Sequence, residues 1–370
     1  MFDPKANNKK VMVAMSGGVD SSVAALLLKQ AGYEVIGATM RVWVDPFAEE
    51  KAGKEIRNCC SYKDIMDAKR VAARLDIAHY VLNMKDEFYR DIVCNFTSEY
   101  MRGRTPNPCI ECNRRIKFYH LMQKARGLGI NYLATGHYVR SRFDQESGVY
   151  RLLRGRDLQK DQSYMLYVLG QEELQSVFFP VGEKTKEEIR NIAEAEELKV
   201  ARKEESQEIC FIPDNDYRSF MERICPEVVQ PGDIVSTSGK KLGRHQGVAF
   251  YTIGQRRGLG LTASEPLYVV GIDPQNNRVI VGGENETYAG GLIAENLNYV
   301  AGKPPLEPVP VEVKIRYRAP AVPAILYPPE NEFSRVVFDQ RQKAVTPGQS
   351  AVFYSGEEVL GGGVIKESLS

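Results

Sequence analysis

A short apolar run, VMVAM (11–15), breaks into SGGVDSS (16–22) and then into a helix-compatible stretch that reaches residue 32. Few local patterns restrict a fold as tightly as strand, double-glycine turn and helix in immediate succession. The glycines let the backbone pass close to a ligand. The first helical amides, with the Ser16, Ser21 and Ser22 hydroxyls, offer donors to oxygen anions. No lysine completes G-x-x-x-x-G-K-[ST], and the spacing is not G-x-G-x-x-G, so neither common phosphate motif is present. A plain strand-to-helix turn is the bland alternative; the complete SGGVDSS behind an apolar strand favours an anion-binding loop.

The same alternation continues. Residues 33–40 and 79–84 read as β-rich runs, 62–77 and 115–129 as helices, and 131–138 as a fourth strand running into a loop. Strand–helix alternation predicts an α/β fold with a parallel sheet covered by helices on both faces. Ligands then sit beyond the carboxyl ends of the strands, at Gly17, at Thr39–Met40 and at Gly136–His137. After roughly residue 215, proline, glycine and short β-branched runs take over. The expected organisation is an α/β domain over 1–215, a small β-rich central domain over 216–287 and a C-terminal β-barrel over 288–370.

Composition excludes some classes. The chain has 370 residues, 43% apolar and 26% charged, as in an ordinary globular protein. MFDPKANNKK lacks the apolar segment of a signal peptide, and no apolar run approaches the roughly 18 residues that span a bilayer. A cytoplasmic chain without a membrane partner is expected. Net charge is only +1, yet Lys and Arg cluster at 102–117, 151–160, 244–257 and 316–318. Each cluster is either a solvated face or a local patch for nucleic acid.

Seven cysteines, Cys59, Cys60, Cys94, Cys109, Cys112, Cys210 and Cys225, follow no even spacing. In a reducing compartment that argues for metal or catalytic roles over a disulfide scaffold. Cys109 and Cys112 lie in RTPNPCIECNRRIKF (104–118), where C-x-x-C is compatible with a redox pair, half a zinc site or part of an iron–sulfur site. Cys59 and Cys60, in NCCSYKD, receive no role.

SGGVDSS resembles the pyrophosphate loop of the N-type ATP pyrophosphatases, which cleave ATP between its α- and β-phosphates to adenylate a substrate oxygen. TPNPCIECNRRIKF (105–118), ATGHY (134–138), KDQSYML (160–166), ESQEICFIP (205–213), YTIGQRRGLG (251–260) and VKIRYR (313–318) together resemble the tRNA 2-thiouridylase family, from about residue 10 to nearly the C-terminus. The resemblance implies adenylation of the wobble uridine O2 in the anticodon stem-loop of tRNAs of the Lys, Glu and Gln type. Sulfur then displaces AMP at C2. It places ATP at Ala14, Met15, Ser16, Gly17, Gly18, Val19, Asp20, Ser21, Ser22, Met40 and Gly136, with Asp20 holding magnesium. Cys112 matches the catalytic cysteine and Cys210 the persulfide carrier. Asn107, Pro108 and Cys109 match the segment that meets the target base. His137, Lys160, Asp161, Gln162, Arg316, Tyr317 and Gln349 match tRNA contacts, although His137 also suits a packing role.

One residue departs from the family pattern: Cys109 stands where the usual loop, D-x-x-C, has an aspartate proposed as a general acid–base. Cys109, Cys112 and Cys210 therefore suit a 4Fe–4S cluster with an open iron that delivers hydrosulfide. Persulfide chemistry on Cys112 and Cys210 competes, with Cys109 accessory. A structural zinc ranks below both, because no second C-x-x-C or histidine pair completes four ligands. The sulfur source is either a cysteine-desulfurase-derived persulfide or inorganic sulfide, and the chain is expected to act as a monomer. The rival functions are another adenylating enzyme of the superfamily, a thiolase or amide-forming synthetase, and a non-catalytic RNA-binding protein with a relic nucleotide site.

Overall fold

The computed structural model describes residues 9–46, 62–204, 209–212 and 216–370. Cys59 and Cys60 lie outside the described residues. A parallel sheet is built from β1 (Lys10–Ala14), β2 (Glu34–Arg41), β3 (Ala78–Asn83) and β4 (Tyr132–Ala134). After a hairpin of β5 (Val139–Asp144) and β6 (Val149–Arg154), the short β7 (Val177–Phe178) completes it, in the order β3-β2-β1-β4-β7. The chain winds outward from β1 through β2 and β3, then returns to the far side of β1 as β4. The carboxyl ends of β1 and β4 therefore flank the topological switch point, where ligands of open α/β sheets bind.

β1 is sealed on both faces, as a central parallel strand should be: Val11, Met12 and Val13 are fully buried. Met12 faces a core that includes Phe88, Phe96, Ile116, Leu121 and Phe211. Val11 and Val13 face the opposite core, with Val23 and Leu28 of helix Val19–Gln30, Val71 of helix Tyr62–Arg74 and Ile189 of helix Lys186–Ala195.

Two segments differ from the sequence expectation. The helix expected over 115–129 begins at Pro108 and runs to Gly127, with i→i+5 hydrogen bonding over Cys112–His120. The fourth strand ends early, at Ala134, and the loop into which it runs begins there. Its continuation turns to meet the start of helix Val19–Gln30, so closely that a Cβ on Gly136 would lie 2.6 Å from the Ser21 amide nitrogen. The β5–β6 hairpin then leaves the first sheet altogether and pairs with the last strand of the chain, Leu152 opposite Val359 and Leu153 opposite Glu358.

The central part folds as a four-stranded sheet of β8 (Gly232–Ser236), β9 (Lys241–His245), β10 (Tyr268–Asp273) and β11 (Arg278–Gly282). The last part contains β12 (Tyr288–Tyr299), β13 (Val309–Lys314), β14 (Val322–Leu326), β15 (Ser334–Lys343), β16 (Ser350–Ser355) and β17 (Glu358–Leu369). Pairing of β12 with β17 closes these six strands into a barrel filled by Leu292, Val313, Val336, Phe353 and Ile365. Among the described residues no helix is long and apolar enough to cross a membrane.

Candidate active site

The loop after β1 is shaped by constraints that only glycine and small hydroxyl residues meet. Gly17 has φ +71°, and a Cβ there would lie 2.2 Å from the Asp64 carbonyl oxygen. Gly18 caps helix Val19–Gln30 without a side chain. Ser21 and Ser22 are buried and donate their hydroxyls to the Gly18 carbonyl (3.2 and 2.8 Å), while the Ser16 amide donates to Ser21 Oγ (3.2 Å). Ser21 and Ser22 thus brace the turn, whereas Ser16 is exposed and Asp20 half-buried. Ala14, Met15 and Val19 frame the loop from β1 and the helix start, and the Met15 amide is anchored on the Ala38 carbonyl (2.8 Å). Met40 lies near the end of β2. Next to it, Thr39 donates to the Met15 carbonyl (2.7 Å) and meets His79 Nε2 (2.9 Å), which locks the loop to β2 and β3.

Three long side chains complete this loop: Tyr138, which ends the ATGHY motif, and two lysines that no sequence motif announces. Tyr138 donates its hydroxyl to Asp20 Oδ1 (2.6 Å). Lys186, at the first position of its helix, puts its ammonium 2.8 and 2.9 Å from the two Asp20 oxygens. Lys203 reaches the Gly17 carbonyl (2.9 Å), Asp64 (2.6 Å) and Asp67 (2.7 Å). Burial alone would lower the Lys203 pKa; the hydrogen bonds and charges of Asp64 and Asp67 together outweigh it and raise it. The phosphate motif lacks an adjacent lysine because two lysines arrive from 166 and 186 residues along the chain.

His137 follows Gly136 across the crevice. Its Nδ1 lies 2.7 Å from Thr135 Oγ1 and its Nε2 3.4 Å from Lys117 Nζ. An ammonium only donates, so Nε2 accepts and the proton sits on Nδ1. Burial, and then the Lys117 charge, hold its pKa well below the usual histidine value. The ring is a neutral imidazole fixed in one tautomer.

The cysteine loop is held from far outside its own domain. Asn107 caps the helix, its Oδ1 accepting from the Cys109 (3.1 Å) and Ile110 (3.4 Å) amides, and Pro108 takes the first helical position. Upstream, the Thr105 amide donates to the Pro347 carbonyl (2.9 Å), and the Gln349 amide donates to the Thr105 carbonyl (2.8 Å). Thr105 Oγ1 meets Thr252 Oγ1 (3.2 Å), and Arg104 pairs with Glu295 (2.6 Å). Barrel and central domain together clamp this segment. Cys109 is exposed and Cys112 half-buried, three residues apart and so on one helical face. Cys210 is half-buried in a turn closed by the Ile212 amide on the Ile209 carbonyl (2.9 Å). Phe211 anchors that turn through edge contacts with Phe88 and Phe96 at 5.7 and 5.4 Å. Cys112 and Cys210 pack against the same core.

The segment expected to meet tRNA is partly structural. The Asp161 carboxylate is buried and accepts from the Gly155 amide (3.0 Å), the Ser163 amide (3.1 Å) and the Ser163 hydroxyl (2.8 Å). Gln162 accepts from the Tyr138 amide (3.0 Å), which ties this loop to the phosphate site. Lys160 is half-buried beside them. The Tyr317 hydroxyl lies 3.4 Å from the Asp161 carbonyl, and Arg316, exposed, donates to the Lys343 carbonyl (2.7 Å).

Known proteins match this whole arrangement. A model of the tRNA methyl transferase HUP domain covers residues 9–214, a tRNA methyl transferase PRC-barrel domain 218–283 and an aminomethyltransferase β-barrel domain 289–365. The tRNA-specific 2-thiouridylase MnmA 1 of Caldanaerobacter subterraneus subsp. tengcongensis is 52% identical over 98% of this chain and 99% of its own length. The corresponding proteins of Natranaerobius thermophilus (51%; 97% of each chain) and Carboxydothermus hydrogenoformans (50%; 98% of each chain) are equally full-length. The chain belongs to the tRNA-specific 2-thiouridylase family.

Within that family, the donor sets present decide what each group can hold. A magnesium ion carried by ATP needs one or two carboxylates beside substrate phosphates and waters. Asp20, at the mouth of the loop, fits that demand. Cys109, Cys112 and Cys210 all fall among the described residues, and among the described residues no three His, Cys, Asp or Glu side chains converge so as to hold a metal ion.

Proposed function

We propose that this chain is a tRNA 2-thiouridylase, an ATP-dependent sulfurtransferase that converts the wobble uridine of tRNAs of the Lys, Glu and Gln type to 2-thiouridine in the cytoplasm. One observation carries the reading. A loop suited to the phosphates of ATP and two cysteines on a shared core occur in a chain half identical, over nearly its whole length, to 2-thiouridylases. ATP sits across the switch point, with its phosphates on the loop of Ser16 to Asp20 and adenine toward Met40 and Gly136. Asp20 holds magnesium, which offsets phosphate charge when bound.

The reaction divides into two displacements. Uridine O2 attacks the α-phosphorus and pyrophosphate leaves, which converts a poor leaving group into a phosphate ester. A persulfide on Cys210 then attacks C2 through its outer sulfur, and AMP leaves. Cys112, as thiolate, attacks the Cys210 sulfur, so that 2-thiouridine departs and a Cys112–Cys210 disulfide remains for reduction by an external thiol. A cysteine-desulfurase-derived persulfide supplies the sulfur. This route needs two cysteines, where a 4Fe–4S route needs three converging thiolates, and no step here passes through a cluster. Cys109 is accessory. The base must leave its stack to reach the crevice, as in other base-modifying enzymes. His137, Lys160, Arg316 and Tyr317 receive the anticodon loop, while Asp161, Gln162, Asn107 and Gln349 hold the surrounding backbone.

The test combines enzyme, ATP, a persulfide donor and unmodified tRNA, with 2-thiouridine and AMP as readouts. Equimolar AMP and 2-thiouridine support the reading. An amide-forming synthetase or a relic RNA-binding protein yields no 2-thiouridine, and either result rejects it. Full activity of both Cys112→Ala and Cys210→Ala rejects the assignment of the thiols.

A further inference from the structure

The C-x-x-C of residues 109–112 is a motif that the proposed function uses only by half: Cys112 attacks, and Cys109 is accessory. Burial along this helix face is graded. Residues 109, 112 and 116 follow one another at helical spacing, and Cys109 is exposed, Cys112 half-buried and Ile116 fully buried. The rotation of the helix is fixed, because Ile110 is buried and the Asn113 side-chain amide donates to the Met165 carbonyl (2.9 Å). Cys210 is half-buried in its own turn. Cys109 is thus the most exposed of the three thiols, one helical turn from Cys112.

The persulfide route ends on a disulfide between Cys112 and Cys210, both half-buried. Until that bond is broken, Cys210 takes no further sulfur. An external thiol must reach a partly covered sulfur, whereas a thiol one turn away is already beside it. Helix geometry sets the Cα atoms of residues 109 and 112 about 5 Å apart, inside the roughly 4.4–6.8 Å that a disulfide bridges. A bond between them has one sulfur at the surface, and exposed disulfides are the labile ones.

Resting on the persulfide route of the proposed function, we infer that Cys109 is the resolving thiol that returns the enzyme to its reduced state. Cys109 loses its proton to solvent and attacks the Cys112 sulfur as thiolate. The Cys109–Cys112 bond forms, the Cys112–Cys210 bond breaks, and the electron pair leaves on Cys210. Cys210 is then a thiolate ready for the next sulfur. An external dithiol reduces the exposed Cys109–Cys112 bond, supplies the two electrons and is itself oxidised to a disulfide.

The full chain, loaded with one persulfide, is given ATP and unmodified tRNA without reductant. After one turnover it is quenched with N-ethylmaleimide and its disulfides are mapped by peptide mass spectrometry. A Cys109–Cys112 disulfide with alkylated Cys210 is the expected result, and Cys109→Ser should trap Cys112–Cys210 instead. In steady-state thiolation with limiting dithiol, Cys109→Ser and Cys109→Asp should each lose at least about tenfold more than they lose in the first turnover, the step that proximity no longer assists. The aspartate variant covers the case in which the serine variant does not fold. Wild-type protein that keeps the Cys112–Cys210 bond with Cys109 alkylated overturns the inference and leaves the persulfide route standing. Equal losses in first and later turnovers, the mark of a Cys109 that only shapes the loop or meets the base, overturn it as well. Formation of 2-thiouridine with all three cysteines alkylated overturns the route and the inference together.

Discussion

The phosphate loop and the cysteine loop solve opposite problems. The first is short, lies at the carboxyl end of a central strand and is held inside its own domain by Gly17, Ser21, Ser22 and two lysines. The second sits at no strand end and is held by its neighbours: Pro347 and Gln349 from the barrel, Thr252 from the central domain and Glu295 from β12. Nucleotide binding is therefore a local property of the α/β domain, whereas the placement of Cys112 is a property of the whole chain. Damage to one loop should leave the other half of the reaction measurable.

The largest separation should come from Cys112→Ser. Thiolation falls by at least about a thousandfold, as when a nucleophile is removed, while ATP affinity in a filter or calorimetric assay stays unchanged. Joint loss of both would merge the two loops into one unit. Gly17→Ala attacks the other loop. The positive φ and the 2.2 Å approach to the Asp64 carbonyl make it cost about 1–3 kcal/mol of stability and remove ATP binding, read by a thermal melt and by titration. A variant with wild-type affinity would mean that the turn tolerates a side chain.

Gln349→Leu is a finer probe. It removes the barrel's amide from the Thr105 carbonyl (2.8 Å), a bond on the scale of about 1 kcal/mol, and so should slow thiolation severalfold at unchanged ATP affinity. Reduced ATP affinity would contradict the division of labour. The smallest effect concerns His137. Its folded pKa lies well below the unfolded value near 6.5, so its contribution to stability is present above that value. As pH falls through the ordinary histidine range, the unfolded chain gains a proton that the folded chain refuses, and stability declines. His79 and His245 are also lowered, chiefly by burial, so the comparison must be with His137→Asn. Its urea midpoint should fall less between pH 7.5 and 5.5 than that of wild type. Identical slopes would place the proton elsewhere.

How much of this was legible in residues alone differs between the loops for the same physical reason. The SGGVDSS loop could be read directly because its function depends on backbone geometry, and glycines and serines declare that geometry in sequence. Lys186 and Lys203 could not, because a lysine in KTKEEIR or ARKEE looks like any solvated side chain until the fold carries it to Asp20 or Gly17. The parallel sheet followed from apolar runs alternating with helical periodicity. The β5–β6 hairpin did not, since its partner, β17, lies about 200 residues later and no local pattern names a distant strand. KDQSYML stood out in the sequence as a unit, yet which of its side chains face inward depends on the Gly155 and Ser163 amides that bond Asp161. A helix was expected at 115–129, but its earlier start, at Pro108, rests on Asn107 acting as a cap.

The separation of adenylation from sulfur transfer is tested most directly by single-turnover release of pyrophosphate with Cys112→Ser, ATP and unmodified tRNA. One equivalent of pyrophosphate per active site without 2-thiouridine is the predicted result. No pyrophosphate, or 2-thiouridine at the wild-type level, would contradict it.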